Sequence, residues 1–274
     1  MKTVLSPWLH EIAKHARIYG LLVRNFILEQ LQYRTNIFLF ALVEFGYVAA
    51  RLLYVLVVEG TGLRINGMPP DSIFLFAGTS LLMMTFCVGA LQFNVIHFGR
   101  KVREGDLDAF LVKPISFQFI ATLRHADFIS ALPNALVGVP LIVYGWWLLR
   151  LPVDIGRVAG FLLFVVLGLA MMYALLTVPM ILAFYFLRVD QLNSIVWALW
   201  DFNSLPCRIQ PGLVQWLGIY VLPIFVIANF SPLFVMHRLG RIEFVWGLIA
   251  PFLFLALVRI AWQRAVRNYG SASS

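Results

Sequence analysis

Charge is scarce in this sequence. Only 12% of its 274 residues are Asp, Glu, Lys or Arg, while 61% are hydrophobic; an ordinary soluble domain carries roughly 25% charged residues. The deficit argues against a solvated globular surface and for one that faces lipid. Cysteine is nearly absent too, with 2 in the chain. Cys87 and Cys207 lie in or beside apolar segments without metal-type spacing, so neither a disulfide framework nor a thiolate metal site is expected. Catalytic signatures are missing: there is no H-E-x-x-H, no G-x-S-x-G elbow, and the 5 histidines are dispersed. Intramembrane catalysis needs a nucleophile and a base inside the spans, and no such constellation occurs. The Walker A pattern is also absent, so this chain has no usual cradle for ATP phosphates and the energy for any active transport enters from elsewhere. Nor is there the alternating dyad pattern of an outer-membrane barrel. A cleavable signal peptide is not expected, because about 35 residues with several charges precede the first apolar run.

What is present is a series of long apolar runs. A helix needs roughly 20 mostly apolar residues to cross the hydrocarbon core. The pattern predicts an all-α polytopic membrane protein with six transmembrane helices, at 36–58, 71–98, 124–149, 157–187, 212–230 and 243–262. Residues 158–187 carry no charge and would extend about 45 Å as a helix, against a core of roughly 30 Å, so that span must tilt, protrude or kink near Pro179. Trp146 and Trp147 suit the aromatic belt at a membrane interface. The stretch 188–206 reads as an amphipathic surface segment, and 229–241 as a re-entrant or interfacial hairpin too broken to cross.

Residues 1–35 precede these spans and have helical period. Trp8, Ile12, Tyr19, Leu22, Val23, Phe26 and Tyr33 share one arc, with Lys14, Arg17 and Arg24 opposite, the pattern of a helix lying among lipid headgroups. His15 sits within the apolar stripe and reads as a packed or interfacial histidine. The net charge of +8 is explained by the positive-inside bias of membrane loops rather than by nucleic acid. With six spans and the N-terminus inside, fourteen Lys and Arg fall on the cytosolic side and five outside, which places both termini in the cytosol.

Two charges interrupt the first span. Glu44 and Arg51 are two turns apart, about 10 Å along the axis, too far for an easy intrahelical pair, so each is expected to meet a partner on another helix or in a wet cleft. Charged groups at that depth are candidates for a transport pathway or a dimer interface; a structural interhelix pair or a snorkelling arginine reads equally well.

The densest patch of charge is Gly99 to Phe117. Gly105 and Asp106 break the preceding helix, Asp106 and Asp108 favour a new N-terminus, and Leu107, Phe110 and Leu111 fall at i, i+3 and i+4. Lys113 and Pro114 end it. The spacing predicts a helix of about two turns whose apolar stripe packs on the bundle or fits a groove on a partner, with an ordinary solvated loop as the plainer reading.

The run E-G-D-L-D-A-F-L-V-K-P-I, residues 104–115, resembles the I-x-x-G-x-L-D-x-x-L-x-[RK]-P-[LI] segment of membrane subunits of type-2 ATP-binding-cassette (ABC-2) exporters. Gly105, Leu107, Asp108, Leu111, Lys113, Pro114 and Ile115 match it. The resemblance implies that Glu104, Gly105, Asp106, Leu107, Asp108, Phe110, Leu111, Lys113 and Pro114 form a coupling helix seated in a separate ATPase subunit. It implies two ATPase copies that bind ATP and Mg, a second permease chain, the same or homologous, and alternating access that exports an amphiphilic or lipid-like substrate or a drug across a bacterial inner membrane. A gradient-driven transporter or channel is the alternative.

Overall fold

The computed structural model describes residues 7–32, 34–61, 68–111, 115–186, 194 and 201–267. Its long helices are α1 (Pro7–Gln32), α2 (Arg34–Gly60), α3 (Ser72–Glu104), α6 (Phe128–Leu148), α7 (Ile155–Leu182) and α11 (Arg241–Arg267). Between α3 and α6 lie the single-turn α4 (Asp108–Leu111) and the short α5 (Phe117–Leu123). Three short helices precede α11: α8 (Gly212–Val221), α9 (Phe225–Ala228) and α10 (Phe230–Val235). The all-α polytopic class is observed, and among the described residues five helices are long and apolar enough to cross a membrane: Ile37–Gly60 within α2, then α3, α6, α7 and α11.

The interior is organised by α3, α6 and α7. Glycines let α3 and α6 touch backbone to backbone: a Cβ on Gly78 would lie 2.7 Å from the Ile142 nitrogen and 2.8 Å from the Gly138 carbonyl. Small residues at such seams are how apolar helices approach closely when lipid offers no hydrophobic contrast. Near its middle α3 widens into a π-turn over Cys87–Gln92, where Gly89 makes room for the Phe128 ring. Phe164 of α7 is fully buried among Phe230, Phe234 and Phe244, at centroid distances of 6.1, 5.4 and 5.7 Å. Asp127 caps α6 by accepting from the Ser130 N–H (3.1 Å), and Asp154 caps α7 through the Arg157 N–H (2.9 Å).

α2 lies on the outside of this bundle. Only 11% of its apolar window is buried, against 67% for α3. Its one inward stripe is Glu44, Val48, Arg51 and Val55, at i, i+4, i+7 and i+11; Val48 and Val55 are buried and the two charges reach neighbouring helices.

In place of a continuous fifth span over 212–230, the structure has α8, a turn at Leu222 to Ile224, α9 and α10. Pro223 has no N–H to continue α8, and the segment folds back. Its two ends meet at Arg208, whose guanidinium lies 3.5 Å from the Gln215 side-chain oxygen and 3.5 Å from the Arg238 carbonyl. At the junction of α9 and α10, Asn229 is fully buried and its side-chain oxygen accepts from the Cys207 N–H at 2.7 Å.

Arg208 also corrects the charge count by side. It forms an ion pair with Glu243 (2.6 Å) at the start of α11, whereas Phe184, just after α7, packs on Trp262 near the other end of that helix at 5.7 Å. Phe184 and Arg208 thus lie toward opposite ends of α11, and Arg208 belongs with Arg238 and Arg241, not with the turn after α3. Most of the stretch 188–206 lies outside the described residues.

Candidate coupling site

α3 ends where Gly105 adopts φ 77°. Its N–H donates to the Val102 carbonyl (3.4 Å) and the Asp106 N–H to the Lys101 carbonyl (3.1 Å), the paired bonds of a Schellman stop, which needs the left-handed backbone that glycine adopts without a Cβ clash. The chain reverses into α4, which is one turn rather than two. Leu107 is completely buried and Phe110 nearly so, both in the protein's own core. The Arg124 guanidinium stands 5.1 Å from the Phe110 ring centroid. Bundle packing, not an outward-facing groove ligand, is thus the environment of the stripe's two described side chains; the Leu111 side chain, Lys113 and Pro114 lie outside the described residues.

The outward face of the turn is charged. Arg100, Arg103, Glu104 and Asp106 are exposed, and Asp108 is half-buried. Arg100 and Glu104 approach to 3.9 Å as an exposed i, i+4 pair, which contributes little to stability.

Beneath the turn, Asn94 of α3 clamps the link between α5 and α6. Its amide nitrogen donates to the His125 carbonyl (2.8 Å) and its oxygen accepts from the His125 N–H (3.1 Å). The Lys101 ammonium donates to His125 Nε2 at 3.3 Å, which requires a neutral imidazole. Burial, then the neighbouring charges of Lys101, Arg124 and His97, push the His125 pKa down to about 4. Phe93 and Phe26 enclose the same ring at 4.7 and 5.6 Å, so α1 is held against the site. His15 completes that contact, packed edge-on to Phe119 at 5.0 Å.

α5 connects the turn to the spans. Gln118 donates to the Tyr173 hydroxyl of α7 (3.1 Å) and accepts from Arg259 of α11 (2.7 Å), while Thr122 lies 3.2 Å from the same hydroxyl. Composition and motif reading missed Gln118, Tyr173 and Arg259. The available signal was Arg259 itself, a lone cation in an otherwise apolar last span.

Glu44 and Arg51 are not part of this cluster. Glu44 accepts from Asn134 of α6 (2.8 Å), and Arg51 donates to Ser80 of α3 (2.9 Å). Among the described residues no group of three or more His, Cys, Asp or Glu is placed to hold a metal ion. Among the described residues the site pairs no nucleophile with a base. What it builds is a charged turn on a rigid base wired to three helices.

Fold and site together define a multi-pass α-helical membrane protein whose one end bears a braced charged turn. The family model described as ABC-2 family transporter protein matches residues 45–273. The chain belongs to that family, and its role is that of a membrane permease in ABC export. No curated protein matches it, and no solved structure does.

Proposed function

We propose that the chain is the non-catalytic half-pathway of an ATP-driven exporter, and that the turn Glu104 to Pro114 is where a separate ATPase subunit engages it. The observation that supports this reading is the braced turn: Leu107 and Phe110 anchor it inward while Glu104 and Asp106 project outward. A push on the exposed face is passed through the Arg124 and Phe110 contact to α5, and from Gln118 to α7 and α11. Two permease chains, identical or homologous, and two ATPases complete the machine, and ATP and Mg belong to the ATPases. Alternating access then moves an amphiphilic, lipid-like or drug-like substrate across the inner membrane, with both termini cytosolic.

A gradient-driven transporter fits less well. Such a mechanism needs convergent charges at mid-membrane, and Glu44 and Arg51 are each engaged by polar partners of the same chain. The test is purification of the chain from its native membrane in mild detergent with identification of what accompanies it. A stoichiometric chain carrying a Walker A motif is expected; a chain that transports in vesicles on an ion gradient alone, without ATP, overturns the proposal.

A further inference from the structure

At the end of the bundle that carries the coupling turn, a cleft of about 370 Å³ opens between the start of α5 and the last turns of α11. Arg259, Gln263 and Arg267 line it at i, i+4 and i+8, one row along α11, with Gln118 opposite and Phe117 and Trp262 forming an apolar wall. Among the described residues no acidic side chain lines it. The two guanidinium groups arise from Cα atoms about 12 Å apart by the helical rise, and both side chains are long enough to bend toward a shared ligand between them. Arg259 spends one donor on Gln118 (2.7 Å), and a guanidinium has five N–H groups.

We propose that this cleft binds the phosphodiester headgroup of an anionic phospholipid. Two cations without a carboxylate are complementary to phosphate, and Arg geometry suits bidentate contact with it. The apolar wall and the position at the end of a membrane-crossing helix match the glycerol and upper acyl region of a lipid rather than a fully hydrated ion. Basic pockets between helices at the membrane surface are the physical form such sites take. Because Arg259 also holds Gln118, a bound headgroup bears directly on the polar link from α5 to α7. The inference needs only that the chain spans a membrane, and it stands or falls apart from ATPase coupling.

The test is native mass spectrometry of the full-length protein released from detergent with added phosphatidylglycerol or phosphatidylcholine. Wild-type protein is expected to retain phosphatidylglycerol in preference to phosphatidylcholine. Arg267→Gln should weaken that retention about fivefold, the effect of removing one cation near a lipid surface. Gln263→Glu, which places a negative charge in the cleft without removing an arginine, should weaken it similarly. Arg264→Gln, on the same helix but outside the cleft, should leave it unchanged, and excess inorganic phosphate should not displace the lipid. Equal retention by the Arg264→Gln, Arg267→Gln and Gln263→Glu variants overturns the proposal. So does full displacement by inorganic phosphate, which would make this a site for a soluble anion.

Discussion

The guanidinium of Arg124 lies over the Phe110 ring, 5.1 Å from its centroid, and so ties the turn after α3 to the link that leads into α6. Such a contact contributes about 0.5–2 kcal/mol depending on desolvation, but its placement matters more than its size. It makes the exposed turn and the α5 support one mechanical unit.

Removing the ring should therefore cost more than removing the cation. Phe110→Ala is expected to destabilise the protein by about 3 kcal/mol through the cavity it leaves, and Arg124→Gln by about 1 kcal/mol, read as thermal unfolding in detergent. Replacing Leu107 or Phe110 with Asp would bury a charge in the core, so loss of partner binding in those variants would report misfolding rather than a lost interface.

Gly105 tests the geometry of the turn. With φ 77°, a Cβ there costs about 1–2 kcal/mol, and Asn tolerates that conformation better than Ala. Gly105→Ala should lower ATP-dependent transport and thermal stability together, and Gly105→Asn should recover much of both. Equal activity of all three would mean that the turn can be rebuilt without its Schellman stop.

His125 predicts a pH dependence of stability. Its pKa falls from the ordinary value near 6.5 to about 4 in the folded protein, so between those values the unfolded state binds more protons and stability rises with pH. His125 imposes no penalty above about pH 7; the penalty grows as pH drops through 6.5 and levels off below about 4. After allowance for solvent screening it amounts to about 1–2 kcal/mol. The difference in melting temperature between wild type and His125→Gln should be constant above pH 7 and change progressively from pH 6.5 to 4.

The bond from Asn134 to Glu44 (2.8 Å) is the polar clasp holding α2 to α6. Interhelical hydrogen bonds in membranes average about 0.6 kcal/mol and reach about 1.7. A double-mutant cycle of Glu44→Ala and Asn134→Ala should return a coupling energy within that range. A coupling energy near zero would show that Glu44 is solvated instead.

Composition and hydropathy carried the fold class and most helix positions, and the break at Gly105 was visible because charge and glycine interrupt an apolar pattern. The direction in which the Leu107 and Phe110 stripe faces was not visible, since that depends on where Arg124 and the end of α3 come together in space. The course of 212–230 was hidden for a related reason: Leu213, Trp216, Leu217 and Val221 are exposed and residues 224–228 are buried by protein, yet both halves are as apolar as a span. Conversely α2 and α3 read alike in sequence, yet α2 keeps most of its apolar surface outward. Hydropathy measures avoidance of water and does not distinguish lipid from packed neighbours. The network of Gln118, Tyr173 and Arg259 joins residues 55 and 141 positions apart, beyond any local pattern.

The central claim is that the outward charges of the turn engage an ATPase, and it is tested most directly by reversing them where no core packing is disturbed. Glu104→Lys with Asp106→Lys alters two exposed side chains and should leave the melting temperature within about 1 kcal/mol of wild-type stability. Copurification with the ATPase, measured as the molar ratio of the two chains after size exclusion, should fall at least tenfold, with ATP-driven transport falling in parallel. An unchanged ratio together with full ATP-driven transport in this folded variant would contradict the account.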